Sequence, residues 1–257
     1  MSIELYLGDC LEIMKNIPDK SIDMILCDLP YGRTHNRWDT VLPFSELWEH
    51  YRRVIKENGV IALFSDGLFM AELMLSNKKM WKYNLVWDKI LASGFLNANK
   101  QPLRVHEEIV IFYDKQPIYN PQKVKGLPNH SKGKGKDSGY QNNNYNDIEF
   151  VDNKDILGDM KHPKSILSFQ KPHPSKSVHP TQKPVALLEY LIKTYTNEGD
   201  TVLDNCMGSG STGVACKNTN RNFIGIEIEE KYFNIAKDRI YDAQNESKQL
   251  SINEDLL

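Results

Sequence analysis

The stretch Thr201-Val202-Leu203-Asp204-Asn205-Cys206-Met207-Gly208-Ser209-Gly210-Ser211-Thr212-Gly213 constrains this chain more than any other. An apolar run ends in a carboxylate, a glycine-rich turn follows, and helical spacing begins at Ser211. Glycines let the backbone turn tightly and approach a ligand, while the free N–H groups of the helix start face it. A second apolar run, Phe223-Ile224-Gly225-Ile226, ends at Glu227, a carboxylate suited to a ribose diol. The glycines satisfy G-x-G-x-x-G, so the turn alone leaves a nicotinamide oxidoreductase open, and packing alone as well. Position along the chain narrows this. Only 30 residues follow Glu227 in a chain of 257, and helical spacing over 229–243 uses half of them. The remaining strands of a nucleotide-binding sheet must therefore come from earlier in the sequence. Ile3–Leu7, ending at Gly8-Asp9, is the natural third strand and Ile22–Cys27 the fourth. The result is a circular permutation, which works when the termini lie close together.

Further short apolar runs occur at Gly59–Ser65, Tyr83–Trp87 and Glu108–Tyr113, and helical spacing at 43–57, 67–77, 184–196 and 211–218. Strands alternating with helices predict an α/β fold: a mostly parallel sheet with helices on both faces. Residues 120–147, rich in Lys, Gly, Asn and Ser, have no sustained periodicity and read as a long loop or small insertion. The polar tail after Ala243 is expected to fray.

The formal net charge of −2 conceals a pattern. Residues 121–183 carry +5, with lysines at 123, 125, 132, 134 and 136 unopposed by any acid in their block, and the remainder carries −7. Such a block is either a solvated loop or a surface that neutralises phosphates with salt-dependent affinity. No apolar run is long enough to span a bilayer, and the start lacks a basic segment followed by an apolar one. A cytoplasmic chain with reduced thiols is expected, since Cys10, Cys27, Cys206 and Cys216 show no paired metal spacing. His162, His173 and His179 lack cysteine partners, so no metal site is expected. Gly133-Lys134-Gly135-Lys136 has neither the preceding strand nor the following helix of a phosphate-binding loop.

Asp28-Leu29-Pro30-Tyr31 follows the buried-strand pattern Ile22–Cys27. Ligands of open α/β sheets bind outside the carboxyl ends of strands, where this tetrapeptide would sit. Asp28 and the Leu29 carbonyl offer two acceptors and Tyr31 a flat face, a set that suits an exocyclic amino group on a stacked base. In these residues the chain resembles the amino-directed DNA methyltransferases of the permuted β class. Asp28-Leu29-Pro30-Tyr31 is similar to that group's Asp-Pro-Pro-Tyr motif. His179-Pro180-Thr181-Gln182-Lys183-Pro184 resembles the segment before its cofactor strand, and Val202 through Thr212 its cofactor loop. Weaker matches are Gly8-Asp9, Trp87-Asp88-Lys89 and His106 through Phe112. Leu29 replaces a proline, although the carbonyl is the functional part, and Asn205-Cys206 replace a more usual Pro-Phe.

The resemblance implies a circularly permuted, Rossmann-like methyltransferase sheet over 1–115 and 161–245. It implies a target-recognition insertion at 116–160 and a tail at 246–257. It implies transfer of a methyl group from S-adenosyl-L-methionine to the exocyclic N6 of a flipped-out adenine. Asp28, Leu29, Pro30 and Tyr31 are the implied catalytic group. Asp9, Lys183, Asp204, Cys206, Gly208, Ser209, Gly210, Thr212 and Glu227 are the implied cofactor contacts, with Lys183 near the methionine carboxylate. Lys123, Lys125, Lys132, Lys134 and Lys136 are the expected DNA contacts. The partners are DNA, with room for a homodimer and a cognate restriction endonuclease, and no membrane. Adenine is favoured over cytosine N4 because that group's cytosine enzymes tend to carry serine at the position of Asp28. Methylation of RNA or protein amides is a further alternative. Cytosine C5 chemistry is rejected, because no cysteine follows a proline.

Overall fold

A computed structural model describes residues 1–33, 39–127, 159–172, 178–179 and 182–254, with the side chains of 244–254 left aside. Met1–Asn120 with Ser165–Leu257 form one compact unit and Pro121–Lys164 a second.

The first unit is built on eight strands: β1 (Ile3–Leu7), β2 (Ile22–Cys27), β3 (Ile55–Ser65), β4 (Trp81–Ser93), β5 (Arg104–Phe112), β8 (Ile166–Ser168), β9 (Thr201–Asp204) and β10 (Asn222–Glu227). They form one sheet in the order β1-β10-β9-β2-β3-β5-β4-β8. The run from β1 to β3 is parallel, β5 is antiparallel to both β3 and β4, and β8 runs parallel to β4. The first strand of the chain therefore lies outside β10, and the second lies on the far side of β9, as the permuted order requires.

Residue alternation divides the core. Along β2, Ile22, Ile25 and Cys27 face one cluster, and Met24 and Leu26 the other. Along β3, Ile61 and Leu63 separate in the same way from Val60, Ala62 and Phe64. Side chains of a strand point to opposite faces in turn, so a strand covered on both faces must be apolar throughout. One face is covered by α1 (Cys10–Met14), α2 (Phe44–Val54) and α3 (Gly67–Ser76), the other by α4 (Val185–Tyr195), α5 (Ser211–Asn218) and α6 (Glu230–Glu254). In α2 the buried Leu47, Trp48, Tyr51 and Val54 recur at helical spacing and form one apolar stripe.

The structure departs from the sequence pattern in several places, of which three bear on the site and its flanks. β3 begins at Ile55 rather than Gly59, because a register shift between Ile22 and Met24 lets the earlier residues pair. α1 has only five residues, too few to show periodicity, and is started by Asp9, whose carboxylate accepts from Leu11 N at 2.8 Å. α6 continues past Ala243 to Glu254, where the polar sequence is expected to fray.

In the second unit β6 (Val124–Lys125) pairs antiparallel with β7 (Met160–Lys161). Among the described residues no helix is long and apolar enough to cross a membrane.

Candidate active site

Asp9, Asp28, Asp204 and Glu227 follow or end β1, β2, β9 and β10, so all four lie at the carboxyl edge of the parallel sheet. The strand order reverses between β9 and β2, and a crevice opens outside such a switch point. All four carboxylates line one cavity of about 1000 Å³, together with Leu29, Pro30, Tyr31, Lys183, Cys206, Gly208, Ser209 and Thr212. That volume is at the upper end of ligand pockets, which suits two adjacent ligands better than one.

The glycine turn is held from both sides. Glu227 Oε2 accepts from Gly208 N at 2.8 Å, and its Oε1 accepts from Glu229 N at 2.9 Å. Burial raises the Glu227 carboxyl above its ordinary value against the pull of these N–H groups. Asp204 Oδ2 accepts from the Thr212 hydroxyl at 2.6 Å, and Oδ1 from Cys206 N at 3.2 Å. Burial pushes its carboxyl up to about 7. Thr212 therefore orients Asp204 as well as lining the cavity. Ser209 is tied by its hydroxyl to Arg239 at 2.9 Å.

Gly210 does not line the cavity. Its φ is +75°, and a Cβ there would stand 2.8 Å from Ala236 Cβ and 2.9 Å from Ala236 Cα. It allows α5 to pack against α6, where the resemblance implies a cofactor contact. Gly208, with φ +52°, lies beside the His179 ring. Half-buried Cys206 keeps its place on the wall, and Asn205 behind it accepts from the Tyr51 hydroxyl at 2.6 Å.

At the second pole, Asp28 is bound at both oxygens. The Tyr31 hydroxyl donates to Oδ1 at 2.8 Å, and Lys183 Nζ donates to Oδ2 at 2.7 Å. The Tyr31 ring packs on Phe69 at 4.8 Å between centroids. Burial raises the Asp28 carboxyl, opposed by the Lys183 charge. Lys183 is buried, and its ammonium is engaged by Asp28 and Glu107 instead of projecting free for a cofactor carboxylate. The resemblance implies a place for it near the methionine carboxylate of the cofactor; in the structure its partners are these two carboxylates. Lys89 and Glu107, which in the sequence fall only within weak motif matches, line the same cavity. His179, which heads the segment that resembles the one before the cofactor strand, is also in the wall, 4.2 Å from the Tyr232 ring. Burial lowers its pKa to about 4, so it is neutral at physiological pH.

Lys123 and Lys125 belong to the second unit, where Lys125 pairs with Asp159 at 3.4 Å. Lys132, Lys134 and Lys136 lie outside the described residues. No cluster of metal-ligating side chains occurs among the described residues.

The chain is 27% identical over 261 residues to the type II methyltransferase M.HpaI of Haemophilus parainfluenzae, spanning 93% of this chain and 74% of that protein. It is similar to the crystal structure of the M1.HpyAVI–SAM complex, with TM-score 0.62, 27% identity, and coverage of 92% of this chain and 99% of that one. The cytosine-N4-specific PvuII DNA methyltransferase shares the fold, with TM-score 0.66 at 15% identity, covering 95% of this chain and 92% of that one. The buried carboxylate at the end of β10, the close backbone approach at Gly208 and the roomy cavity fit S-adenosylmethionine as cofactor. The profile of the N6/N4 family described as DNA methylase matches residues 22–238, and the chain belongs to that family of S-adenosylmethionine-dependent DNA methyltransferases.

Proposed function

We propose that this DNA methyltransferase acts on the exocyclic N6 of adenine, with the target base flipped out of the duplex into the cavity. The observation that carries the reading is Asp28. A carboxylate, not a hydroxyl, stands at the head of Asp28-Leu29-Pro30-Tyr31, at the carboxyl end of β2 and in one cavity with Asp204 and Glu227.

When bound, S-adenosylmethionine supplies an electrophilic methyl group on sulfonium. Glu227 would hold its ribose diol, Asp9 its adenine and Asp204 its methionine end. Asp28 Oδ1 and the Leu29 carbonyl accept the two amino hydrogens of the target base and raise electron density on its nitrogen. Tyr31 gives up its hydrogen bond to Asp28 and stacks on the base, offsetting part of the few kcal/mol of unstacking. Much of the rate enhancement is positional, with fixed acceptors stabilising the nitrogen as it becomes positive. The lysine-rich segment around β6, with Lys132, Lys134 and Lys136 beyond it, supplies phosphate contacts. A second copy of the chain and a cognate restriction endonuclease are the further partners this reading admits, in the cytoplasm.

The test is expression in a methylation-deficient host, followed by nucleoside analysis and modified-base sequencing of the host DNA. N6-methyladenine at one sequence context is expected, and N4-methylcytosine would overturn the base assignment. Asp28→Ala should abolish methylation and leave S-adenosylmethionine binding within a few-fold. Unchanged turnover in that variant would remove Asp28 from the mechanism.

A further inference from the structure

Behind Asp28 lies a row of alternating charges that the proposed chemistry does not yet use. Lys183 Nζ is 2.7 Å from Asp28 Oδ2 and 3.2 Å from Glu107 Oε2, and Lys89 Nζ is 3.1 Å from Glu107 Oε1. The row runs carboxylate, ammonium, carboxylate, ammonium, and its formal charge is zero. Both lysines are buried, at 8% and 5% exposure. The four side chains come from four segments: the end of β2, the approach to α4, β5 and β4. The faces of Phe64 and Trp87 lie 5.0 and 5.9 Å from Lys183 Nζ, so the ammonium has aromatic walls. A buried charge survives only if paired, and here each lysine needs a carboxylate.

The sharing is unequal. Lys183 donates to Asp28 at 2.7 Å, whereas Glu107 Oε2 stands farther from it, at 3.2 Å, and accepts from no other group among the described residues. Glu107 thus acts on Lys183 chiefly as a second negative charge, held at longer reach than Asp28. A lysine wholly given to Asp28 would neutralise it and weaken it as an acceptor for an amino hydrogen. A lysine divided between two carboxylates leaves Asp28 oriented but still electron-rich.

We propose that Glu107 is a positioning residue for methyl transfer: anchored by Lys89, it divides the charge of Lys183 and so sets how strongly Asp28 draws on the target amine. This inference rests on the reading of Asp28 as the amine acceptor. The groups facing Asp28 are Lys183 before α4, Glu107 on β5, Tyr31 after β2, Cys27 on β2 and Asp204 on β9. Burial raises the Asp28 carboxyl most; Lys183 lowers it and Glu107 raises it. Burial also raises Glu107, but its two lysines outweigh that and hold it below its ordinary value.

The test is the pH profile of single-turnover DNA methylation at saturating S-adenosylmethionine, with cofactor affinity measured in parallel. Glu107→Gln should slow methyl transfer about tenfold or more across the profile. It should also move the acid limb to lower pH by about half a unit or more, because a negative charge facing Asp28 is gone. Lys183→Met should move the acid limb the opposite way and recover rate at alkaline pH. A merely structural role would reduce rate or folding without opposed displacements. Should Glu107→Gln fail to fold, Glu107→Asp keeps the charge at shorter reach, and is expected to be slower with its acid limb in the wild-type place. A wild-type rate in whichever Glu107 variant folds, or limbs displaced in the same direction in Glu107→Gln and Lys183→Met, overturns the proposal. Asp28→Asn separates the two readings. If it is inactive while Glu107→Gln behaves as wild type, only the role of Glu107 falls. If it retains full activity, the reading of Asp28 falls as well.

Discussion

Glu227→Gln tests the cofactor half of the site, because one side chain serves both the turn and the ligand. In the structure its two oxygens accept from Gly208 N at 2.8 Å and Glu229 N at 2.9 Å, with 7% of the residue exposed. Glutamine preserves shape but presents an NH₂ group to one of those N–H donors. A buried donor left unpaired costs about 1–3 kcal/mol, and the surviving bond loses its charge assistance, worth roughly another 1 kcal/mol. Relief of burying a charge offsets part of this, so a net loss of about 2 kcal/mol is expected. For a domain of this size that corresponds to a Tm lower by roughly 4–8 °C. The ribose diol would lose an ionised acceptor, about 1.5–3 kcal/mol, or roughly 10- to 100-fold in the Kd for S-adenosylmethionine. Calorimetric titration at neutral pH reads the second quantity and thermal unfolding the first. A folded variant whose Kd is within twofold of wild type would refute the ribose assignment. An unchanged Tm would refute the view that the carboxylate ties the glycine turn to the start of α6.

Gly210→Ala is expected to lower stability by about 2 kcal/mol or more, since its φ of +75° and a Cβ 2.9 Å from Ala236 Cα force α6 to move. A thermal melt superimposed on wild type would show that α5 and α6 are not packed through this glycine. His179 should stay neutral down to about pH 4, followed by NMR of its ring protons. Because its folded pKa is depressed, its contribution is fully present above the unfolded value near 6.5 and is lost as pH falls through about 4. The shift corresponds to roughly 3 kcal/mol at most. A midpoint near 6.5 would mean that the ring is solvated and not packed on Tyr232. Replacing Lys132, Lys134 and Lys136 with Gln should weaken DNA binding and flatten its salt dependence, by about 0.9 in log–log slope for each phosphate no longer neutralised. An unaltered slope would show that these lysines do not touch DNA.

Much of this architecture is legible in the sequence because the information is local. The apolar runs at β1, β2, β9 and β10 announce their strands, and the glycine turn, Asp204 and Glu227 announce a ligand edge. The cofactor-type strands β9 and β10 come after the strand that carries Asp28, and the sheet shows that permuted order. The identity of Asp28 is likewise a matter of sequence: its position after a fully buried strand places it at the carboxyl edge whatever the rest of the chain does. Such inferences hold because side-chain periodicity reports which face of an element is covered, and a strand end in an open α/β sheet has only one side on which ligands gather.

Partnership was decided by the tertiary structure. Lys183 and Asp28 are 155 positions apart, and nothing near either residue states that the ammonium meets that carboxylate rather than a cofactor. Gly210 and Gly208 stand two residues apart in one motif, yet one packs against α6 and the other lies in the cavity wall. Glu107 reads as one acid in a β-strand until β4, β5 and the approach to α4 bring two lysines onto it. The sequence determined the sheet, the permuted order and the edge where the chemistry sits. Only the packed chain decided how the charges there are divided, because that depends on register and close approach between segments distant in sequence.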